Sequence, residues 1–569
     1  MGRHKLVSGL FSCALAGLAG GVAYAQPPRL PGASPTPQEL NPNQQLPGAA
    51  EARRPSDIFQ RPEPGPCPIK DSDVALELES VTFTGLTGLK AKALEKAYRD
   101  KIGKKATVAE ICEIRDRVST LLFDRGIFAR VEIPPQTITD GRLTLQVIEA
   151  RVVNIRFHGD AGPAQAKVEA YIERLRGMKP FDLTKAERYL LLANEVPGVQ
   201  VSAAVRPSGE APGAVDLDIT AVRVAPFDVA AAVNNLGSTS LGPWTGLVRG
   251  DLNSLTPFGD RTSVVVYTTL DGKEQQVVQL LSEVRPTSTG LLVNGSVSYA
   301  HTQPGGPLTS LHLDGDALDA VIEASYPLIH ARSKDLSLGA GFELADQHTV
   351  FASGGVLIDD RLRIAFLSAD ASMQNALFGV PYRASLELQY RQGLSAFGAS
   401  RAGQPTLSRA SGIPTASVGR ANGRLEILPF NKLDLDFEVM AQYSASPLLS
   451  YEQISIGNLT IGRGYDPSTV TGDRGVAFRV EPSVGPFSLP LGQMVSLFAF
   501  YDQASTEFVD IGQRLNVRSA GAGVRLRPAR PDQRGFAVDV MYADPLDKIS
   551  PAALSKPPAR ALVSVTYRY

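Results

Sequence analysis

The sequence predicts two small α+β units followed by an all-β transmembrane barrel of about 16 antiparallel strands. Helical spacing of apolar residues is concentrated in residues 73–224. Strand-length segments in which apolar and polar residues alternate fill residues 225–569. The chain also ends on an aromatic residue, Tyr569, within its last predicted strand. Each observation supports the predicted architecture in a different part of the chain.

Length and charge narrow the class of protein. The 569 residues exceed what is expected of one domain, which usually has about 100–200 residues. The 57 basic and 58 acidic residues give a net charge of −1. Because nucleic-acid-binding proteins usually carry a basic face, we expect no nucleic-acid partner.

Residues 1–25 have the pattern of a secretory signal peptide. A basic start is followed by an apolar segment, Leu6–Val22, and by the small residues Ala23 and Ala25 at the cleavage site. A membrane anchor is one alternative, but polar residues and glycines interrupt the apolar segment. Lipoprotein processing at Cys13 is another. The sequence therefore predicts an exported chain that is cleaved after Ala25.

The segment after the cleavage site combines a linker with the first of two remaining cysteines. Residues 26–72 are rich in Pro, Gln and Gly, which is typical of a linker that cannot fold alone. A short helix fits at 49–60, although a proline interrupts it. In an oxidising compartment, the pair Cys67 and Cys112 favours a disulfide over two free thiols.

Two similar units follow, at residues 73–150 and 151–224. In each, periodicity and turn residues indicate the order strand, helix, helix, strand, strand. Thr107 has the side chain of a helix N-cap, and apolar residues at helical spacing follow it to Asp124. The expected strands are 76–83, 127–133, 143–148, 152–157, 199–205 and 215–221, and the expected helices are 91–101, 107–124, 164–175 and 181–194.

Residues 225–569 have the alternation of half-buried strands. Soluble sandwiches also alternate. This region, however, is unusually long for a sandwich, and it suits roughly 16 barrel strands at about 21 residues per strand and loop. In the last strand, Tyr567 and Tyr569 share a face with three apolar residues, as expected for an aromatic girdle at the membrane interface.

A glycine-rich loop at residues 451–475 contains two short motifs. Glycine permits tight turns that other residues avoid. An arginine held between glycines presents a rigid fork of donors that suits a fixed carboxylate. An ordinary solvated loop is the alternative. The motif residues are Gly462, Arg463, Gly464 and Tyr465, followed by Gly472, Asp473, Arg474 and Gly475.

A carboxylate for Arg463 lies on a strand that follows the loop. In the strand 497–504, Asp502 shares a face with Phe500 and Phe498. A charge on the lipid face of a barrel is costly, so this face should point into the lumen. If the loop folds inward, we expect Arg463 to pair with Asp502.

Motifs for catalysis and cofactor binding are missing from the sequence. The six histidines form no HExxH pair, and there is neither a phosphate-binding loop nor a nucleophile elbow. Asp314, Asp316 and Asp319 have part of the spacing of a calcium loop but lack the full pattern, which favours a solvated loop. We therefore expect no enzyme activity, no metal and no cofactor.

Taken in order along the chain, these residues resemble the two-partner secretion transporters, the TpsB proteins, in which POTRA domains precede a barrel. Gly462–Tyr465 is similar to the family's VRGY-type lid motif, and Phe500 with Asp502 is similar to its lumen-strand motif. Further resemblances are the glycine-rich return at 472–475, the end of a second POTRA domain at 190–207, and opening barrel strands at 234–237 and 257–260.

The resemblance implies a Gram-negative outer-membrane barrel with two periplasmic POTRA domains and a lid loop, 451–475, that gates the pore. The implied partner is a large exoprotein, β-helical and encoded nearby, which crosses unfolded and without nucleotide hydrolysis. Outer-membrane lipid and the barrel assembly machinery are further implied partners, and a plug helix is expected within 26–72. A barrel assembly insertase and a solute porin are the alternative functions.

Overall fold

The computed structural model describes residues 34–46, 67, 75–138, 140–467, 469–529, 534–549 and 555–569. The predicted signal peptide with Ala23 and Ala25, and the predicted helix at 49–60, lie outside these residues. The first described segment contains a short helix, α1 (Pro37–Leu40), followed by a 3-10 turn at Pro42–Gln45.

The first unit packs one long helix on a small sheet. Its elements are β1 (Ala75–Leu78), β2 (Ser80–Thr84), β3 (Lys104–Thr107), α2 (Val108–Asp124), β4 (Ala129–Glu132) and β5 (Arg142–Glu149). Strands β2 and β5 are parallel, β4 lies antiparallel on the other side of β5, and β1 pairs with β3.

Helix α2 begins where the sequence predicts it. The Thr107 hydroxyl accepts a hydrogen bond from the Glu110 amide at 3.3 Å, and the Glu110 carboxylate accepts one from the Thr107 amide at 2.8 Å. This reciprocal capping satisfies two amides that a helix start leaves unpaired. The predicted helix at 91–101 is instead two 3-10 turns. Its buried residues Leu94 and Ala97 are three apart, a spacing that a 3-10 turn aligns on one face.

The second unit has the predicted order of strand, helix, helix, strand, strand. The elements are β6 (Arg151–His158), α3 (Gln165–Ile172), α4 (Leu183–Asn194), β7 (Val199–Pro207) and β8 (Ala214–Arg223). The sheet order is β6-β8-β7, so β8 is central and β7 lies at an edge. Apolar residues of both helices and of all three strands form one buried cluster.

The rest of the chain forms a closed antiparallel barrel of 16 strands, which confirms the predicted fold class. The strands are, in chain order, β9 (Phe227–Asn234), β10 (Thr245–Asn253), β11 (Arg261–Thr269), β12 (Gln275–Val284), β13 (Leu292–Thr302), β14 (Leu313–Ala331), β15 (Lys334–Phe351), β16 (Val356–Leu377), β17 (Val380–Gly393), β18 (Ser417–Phe430), β19 (Leu433–Tyr443), β20 (Ile454–Ile456), β21 (Val470–Gly472), β22 (Arg474–Leu489), β23 (Gln493–Phe508), β24 (Gln513–Pro528), β25 (Gly535–Pro545) and β26 (Arg560–Arg568). All except β20 and β21 belong to the barrel, which β9 and β26 close.

The second unit contacts one end of the barrel, here called the near end. The Ser254 hydroxyl donates to the Pro197 carbonyl at 2.6 Å, and the Arg188 guanidinium donates to the Thr289 carbonyl at 3.2 Å. Lys167 is 6 % exposed in this junction, and burial lowers its pKa. The turns between strands at the near end are short, whereas the opposite, far end carries the long loops 394–416 and 444–473.

Alternation of side chains gives the barrel an apolar outer face, as a lipid environment requires. On the last strand, Leu562 and Thr566 are buried, while Tyr567 is 37 % exposed and packs on the Phe536 ring with centroids 4.8 Å apart. Tyr569 is also exposed, and its amide donates to a β9 carbonyl. No helix in the described residues is long and apolar enough to cross a membrane.

A disulfide joins Cys67 to Cys112 in α2, with Cα atoms 5.9 Å apart and 45 positions between them in sequence. It fastens the segment before the first unit to that unit's long helix. Because it closes a loop in the unfolded chain, it restricts the conformations open to that chain.

Replacing both cysteines by serine should lower the unfolding free energy of the first unit by about 4 kcal/mol, the value expected for closure of a loop of this length. Pulse proteolysis of the full chain at increasing urea concentrations would measure this loss of unfolding free energy. The fluorescence of Trp244, which lies beside β10 in the barrel, should be unchanged. An unaltered unfolding midpoint for the first unit would contradict the prediction.

Candidate functional site in the barrel lumen

Residues 451–473 of the predicted loop, here called the inner loop, fold back into the barrel from the far end, and the last two predicted loop residues already belong to β22. Its strands β20 and β21 pair as a hairpin. Ile454, Ile456 and Val470 are buried and pack with inward residues of the wall, including Ala504 and Val517. Strands β19 and β22, which flank the loop, are neighbours in the barrel. The loop is therefore an insertion that leaves the wall closed and occupies the lumen.

The backbone at the centre of the inner loop is bound to Asp502 of β23. One carboxylate oxygen, Oδ2, accepts the amide of Gly462 at 3.0 Å and the amide of Arg463 at 2.8 Å. Asp502 is only 1 % exposed. Gly462 has φ of +115°, a conformation that favours glycine and turns both amides towards the same oxygen.

The guanidinium of Arg463 has a different carboxylate partner from the one we expected. It pairs with Glu481 of β22 at 2.5 Å and stacks on the Phe500 ring, whose centroid lies 4.2 Å away. Asp502 is therefore a partner of the Arg463 backbone, and Glu481 is the partner of its charge. The physical reason is that Arg479 already binds the second oxygen of Asp502 at 2.9 Å.

Arg479 connects the wall to the inner loop. Besides Asp502, it donates to Glu438 of β19 at 2.8 Å and to the backbone carbonyl of Thr460 in the loop at 2.7 Å. Glu481, two residues further along the same face of β22, also binds Arg525 of β24. Alternating charges from four neighbouring strands thus form one network around the Arg463 motif.

The residues after Arg463 fit closely against the wall. A Cβ on Gly464 would lie 2.8 Å from the Pro545 amide nitrogen and 2.8 Å from the Ser519 side chain, so only glycine fits without a shift. Tyr465 is 1 % exposed, and its hydroxyl donates to the Arg518 carbonyl at 2.8 Å. This part of the loop is packed rather than solvated.

The second glycine motif holds the end of the inner loop. Asp473 is fully buried, and its carboxylate accepts the amides of Leu448 and Val509 at 2.8 Å each and pairs with Arg409. Arg474 pairs with Glu507 at 2.5 Å. A Cβ on the preceding Gly472 would lie 2.8 Å from the Thr506 side chain, and one on Gly475 2.7 Å from the Ser505 carbonyl.

A second charged cluster, at the start of the inner loop, was not predicted from the sequence. Glu452 accepts two hydrogen bonds from Arg391 of β17, at 2.6 and 3.1 Å, and Arg391 also binds Glu343 of β15 at 2.9 Å. The Tyr451 hydroxyl contacts Glu343 and Asp319, each at 2.9 Å. Only the alternation on the three wall strands β14, β15 and β17 could have indicated that these charges face inward.

Residues 34–46 also lie in the lumen, along strands β9 to β16. Leu40 is 1 % exposed and packs in a cluster with inward wall residues. The Gln347 side chain donates to the Pro35 carbonyl at 2.6 Å, and Gln279 donates to Asn41 at 3.0 Å. Between this segment and the inner loop remains a cavity of about 960 Å³.

Comparisons with known proteins agree with this architecture. Residues 213–526 match the family model described as haemolysin secretion/activation protein ShlB/FhaC/HecB, and residues 76–150 match the ShlB-type POTRA domain. No match is found among curated protein sequences.

Solved structures with a similar fold include two CdiB proteins and a BamA. CdiB from Escherichia coli has a TM-score of 0.74 at 18 % identity, over 94 % of this chain and 98 % of that one. CdiB from Acinetobacter baumannii has a TM-score of 0.63 at 15 % identity, over 94 % and 97 %. BamA from Haemophilus ducreyi lacking POTRA domains 1-3 has a TM-score of 0.51 at 13 % identity, over 87 % and 100 %.

A POTRA-like α+β region, with a ShlB-type POTRA domain at residues 76–150, before a closed 16-strand barrel defines an outer-membrane transporter with periplasmic POTRA domains. The chain belongs to the ShlB/FhaC/HecB family of haemolysin secretion/activation proteins. It is a two-partner secretion transporter, and its partner is a secreted exoprotein. The near end of the barrel is therefore periplasmic, and the far end is external.

The Gly464→Ala variant should loosen the inner loop, because the added methyl group meets backbone and side-chain atoms of the wall. We expect trypsin to cleave after Arg463 faster than in the wild type, as measured on the purified full chain. Gly419→Ala on β18 is the matched control, since nothing lies within 4 Å of its added Cβ. Equal trypsin resistance of both variants would show that the close fit does not hold the loop.

Proposed function

We propose that the inner loop is the lid of the export path and that residues 34–46 act as a second plug. Both segments line the same lumen cavity, through Pro37 and Asn41 on one side and Thr460 and Ile461 on the other. A partner chain that passes through this barrel has to displace one or both. The partner would cross in extended, unfolded form, since the cavity of about 960 Å³ beside these segments is far smaller than a folded domain.

The observation that carries the lid proposal is that Arg463 is bound to the barrel wall both through its backbone and through its side chain. Its backbone is bound by Asp502 and its side chain by Glu481, and Arg463 itself is 6 % exposed. Buried ion pairs of this kind fix a conformation more surely than they add stability. A loop held by side-chain and backbone contacts to the lumen face can be released without unfolding the wall, because the barrel strands stay paired to one another.

We further propose that the POTRA domains capture the partner before it enters the barrel. In the second unit, β7 forms an edge of the sheet. An extended chain can add to such an edge through backbone hydrogen bonds, with little requirement for a particular sequence. This suits an unfolded partner, which we expect to be a large β-helical protein encoded nearby.

Three further expectations belong to this proposal. Transport would need no catalytic residue of this chain and no nucleotide hydrolysis. The apolar outer face would contact outer-membrane lipid directly. Insertion of the barrel would depend on the cell's barrel assembly machinery.

Replacing Arg463 by alanine should reduce secretion of the partner and increase the conductance of the purified barrel in planar bilayers. The variant removes the ion pair with Glu481 and the stacking on Phe500. Arg514→Ala is the matched control, since Arg514 is an exposed arginine that pairs with Glu507 outside the lumen network. If the Arg463→Ala barrel assembles normally and secretion is undiminished, the lid role is wrong.

Proline substitutions on β7 test the capture step. Amides of an antiparallel edge strand point alternately to its neighbour and outwards. Ser202 and Ala203 are adjacent, so the amide of one points to β8 and the amide of the other points outwards. Both proline variants are made, and the one that leaves the pairing with β8 intact is the test variant. That variant should keep a protease-resistant second unit but secrete less partner. Wild-type secretion would contradict edge capture, and a general loss of outer-membrane barrels would point to an assembly function instead.

A further inference from the structure

A row of imidazole and carboxylate groups crosses four adjacent strands on the outer wall, close to the external end. His301 on β13 is the register partner of Asp316 on β14. Asp316 is in turn the partner of His348 on β15, and His348 is the partner of Asp359 on β16. The inward neighbours of this row are buried, so the row itself faces out of the barrel.

Three of the groups converge at one point. The Nδ1 atom of His301 lies 3.2 Å from an oxygen of Asp316 and 4.0 Å from an oxygen of Asp314. One ligand atom from each of the three residues lies within 4.8 Å of the others. Asp314 and Asp316 are two positions apart on one strand, which puts both carboxylates on the same face. Register pairing places His301 directly beside Asp316.

The groups that face these two carboxylates are imidazoles, a hydroxyl and an amide. His301 faces both Asp314 and Asp316, and His348 is the register partner of Asp316 on the other side. The Tyr299 hydroxyl and the Gln303 amide also donate to these carboxylates, but they are neutral. Further along the row, Asp359 is paired with an arginine, Arg361, at 3.4 Å.

We propose that His301, Asp314 and Asp316 bind a divalent transition-metal ion such as Zn²⁺. An imidazole nitrogen with two carboxylate oxygens is a ligand set that zinc accepts, whereas calcium and magnesium take oxygen ligands. Three protein ligands leave a position free, and His348 in the neighbouring register position is placed to approach it. A divalent ion at this point would neutralise the charge of the two carboxylates.

The site exchanges its metal with the external medium. The side chains of His301, Asp314 and Asp316 are 33 %, 45 % and 46 % exposed. Asp314 is the second residue after the external loop 303–312, and His301 is the second residue before it. A bound ion would link β13 to β14 on both sides of that loop, and it would do so without entering the lumen. This function is independent of the lid and of partner capture.

The test is zinc binding to the tag-free full chain in detergent, because a histidine tag would itself bind the ion. Titration against a chromophoric zinc chelator should show one Zn²⁺ per chain. Loss of an outer-shell group commonly weakens metal sites by about 10–100-fold. Removing a direct ligand by His301→Ala should therefore weaken binding by about tenfold or more. A difference in gel migration between heated and unheated samples shows that the barrel of each variant is folded.

His158→Ala is the matched control, because His158 on β6 is an exposed histidine 3.7 Å from the single carboxylate of Asp218. It should leave the affinity and stoichiometry of the full chain unchanged. Three outcomes would overturn the proposal: no zinc binding at one site per chain, equal affinities of the wild type and His301→Ala, or displacement of zinc by an equal concentration of calcium.

Discussion

The closed barrel depends on one constraint, that every charge turned into the lumen needs a partner inside it. Alternation sends each second side chain of a barrel strand inward, and here these side chains include Asp502, Glu481, Glu438, Arg479 and Arg525. A buried charge without a partner is strongly unfavourable. Wall charges satisfy part of this need among themselves, and the inner loop supplies further partners.

What the loop contributes is largely backbone. Two amides of the loop bind Asp502, and one of its carbonyls binds Arg479. Such contacts require a chain that approaches the wall very closely, which explains why glycines flank Arg463. The arginine adds a charge and a planar surface that fits between Glu481 and the Phe500 ring. Backbone and side chain thus fix the same point of the loop from two directions.

Much of this architecture could be predicted from the sequence, because alternation and helical periodicity are local signals. The strand segments, the N-cap Thr107 and the inward face of Asp502 all follow from neighbouring residues. The partner of the Arg463 guanidinium could not be derived in this way. The pairing depends on the strand register, which places Arg479 opposite Asp502. Because Arg479 binds Asp502, Glu481 is the carboxylate that binds the Arg463 guanidinium. The contact of Arg409 with Asp473 joins two loops 64 positions apart, and no local pattern indicates it.

The two segments in the lumen are held by different chemistry, and this difference bears on how the path opens. Residues 34–46 are held by apolar burial of Leu40, by hydrogen bonds of neutral amides such as Gln347 and Gln279, and by one charge-assisted hydrogen bond from Arg249 to Asn43. The inner loop is held by ion pairs at Glu452, Arg463 and Asp473, all of them buried.

Water can replace a neutral hydrogen bond at little cost, since its net contribution is only about 1 kcal/mol. Separating a buried ion pair leaves two charges that must be solvated or paired anew, which costs about 3–5 kcal/mol when one partner is removed. Displacing residues 34–46 therefore requires less free energy for each contact than displacing the loop. The loop can move only where water or an incoming chain supplies new partners for the charges that it leaves in the wall.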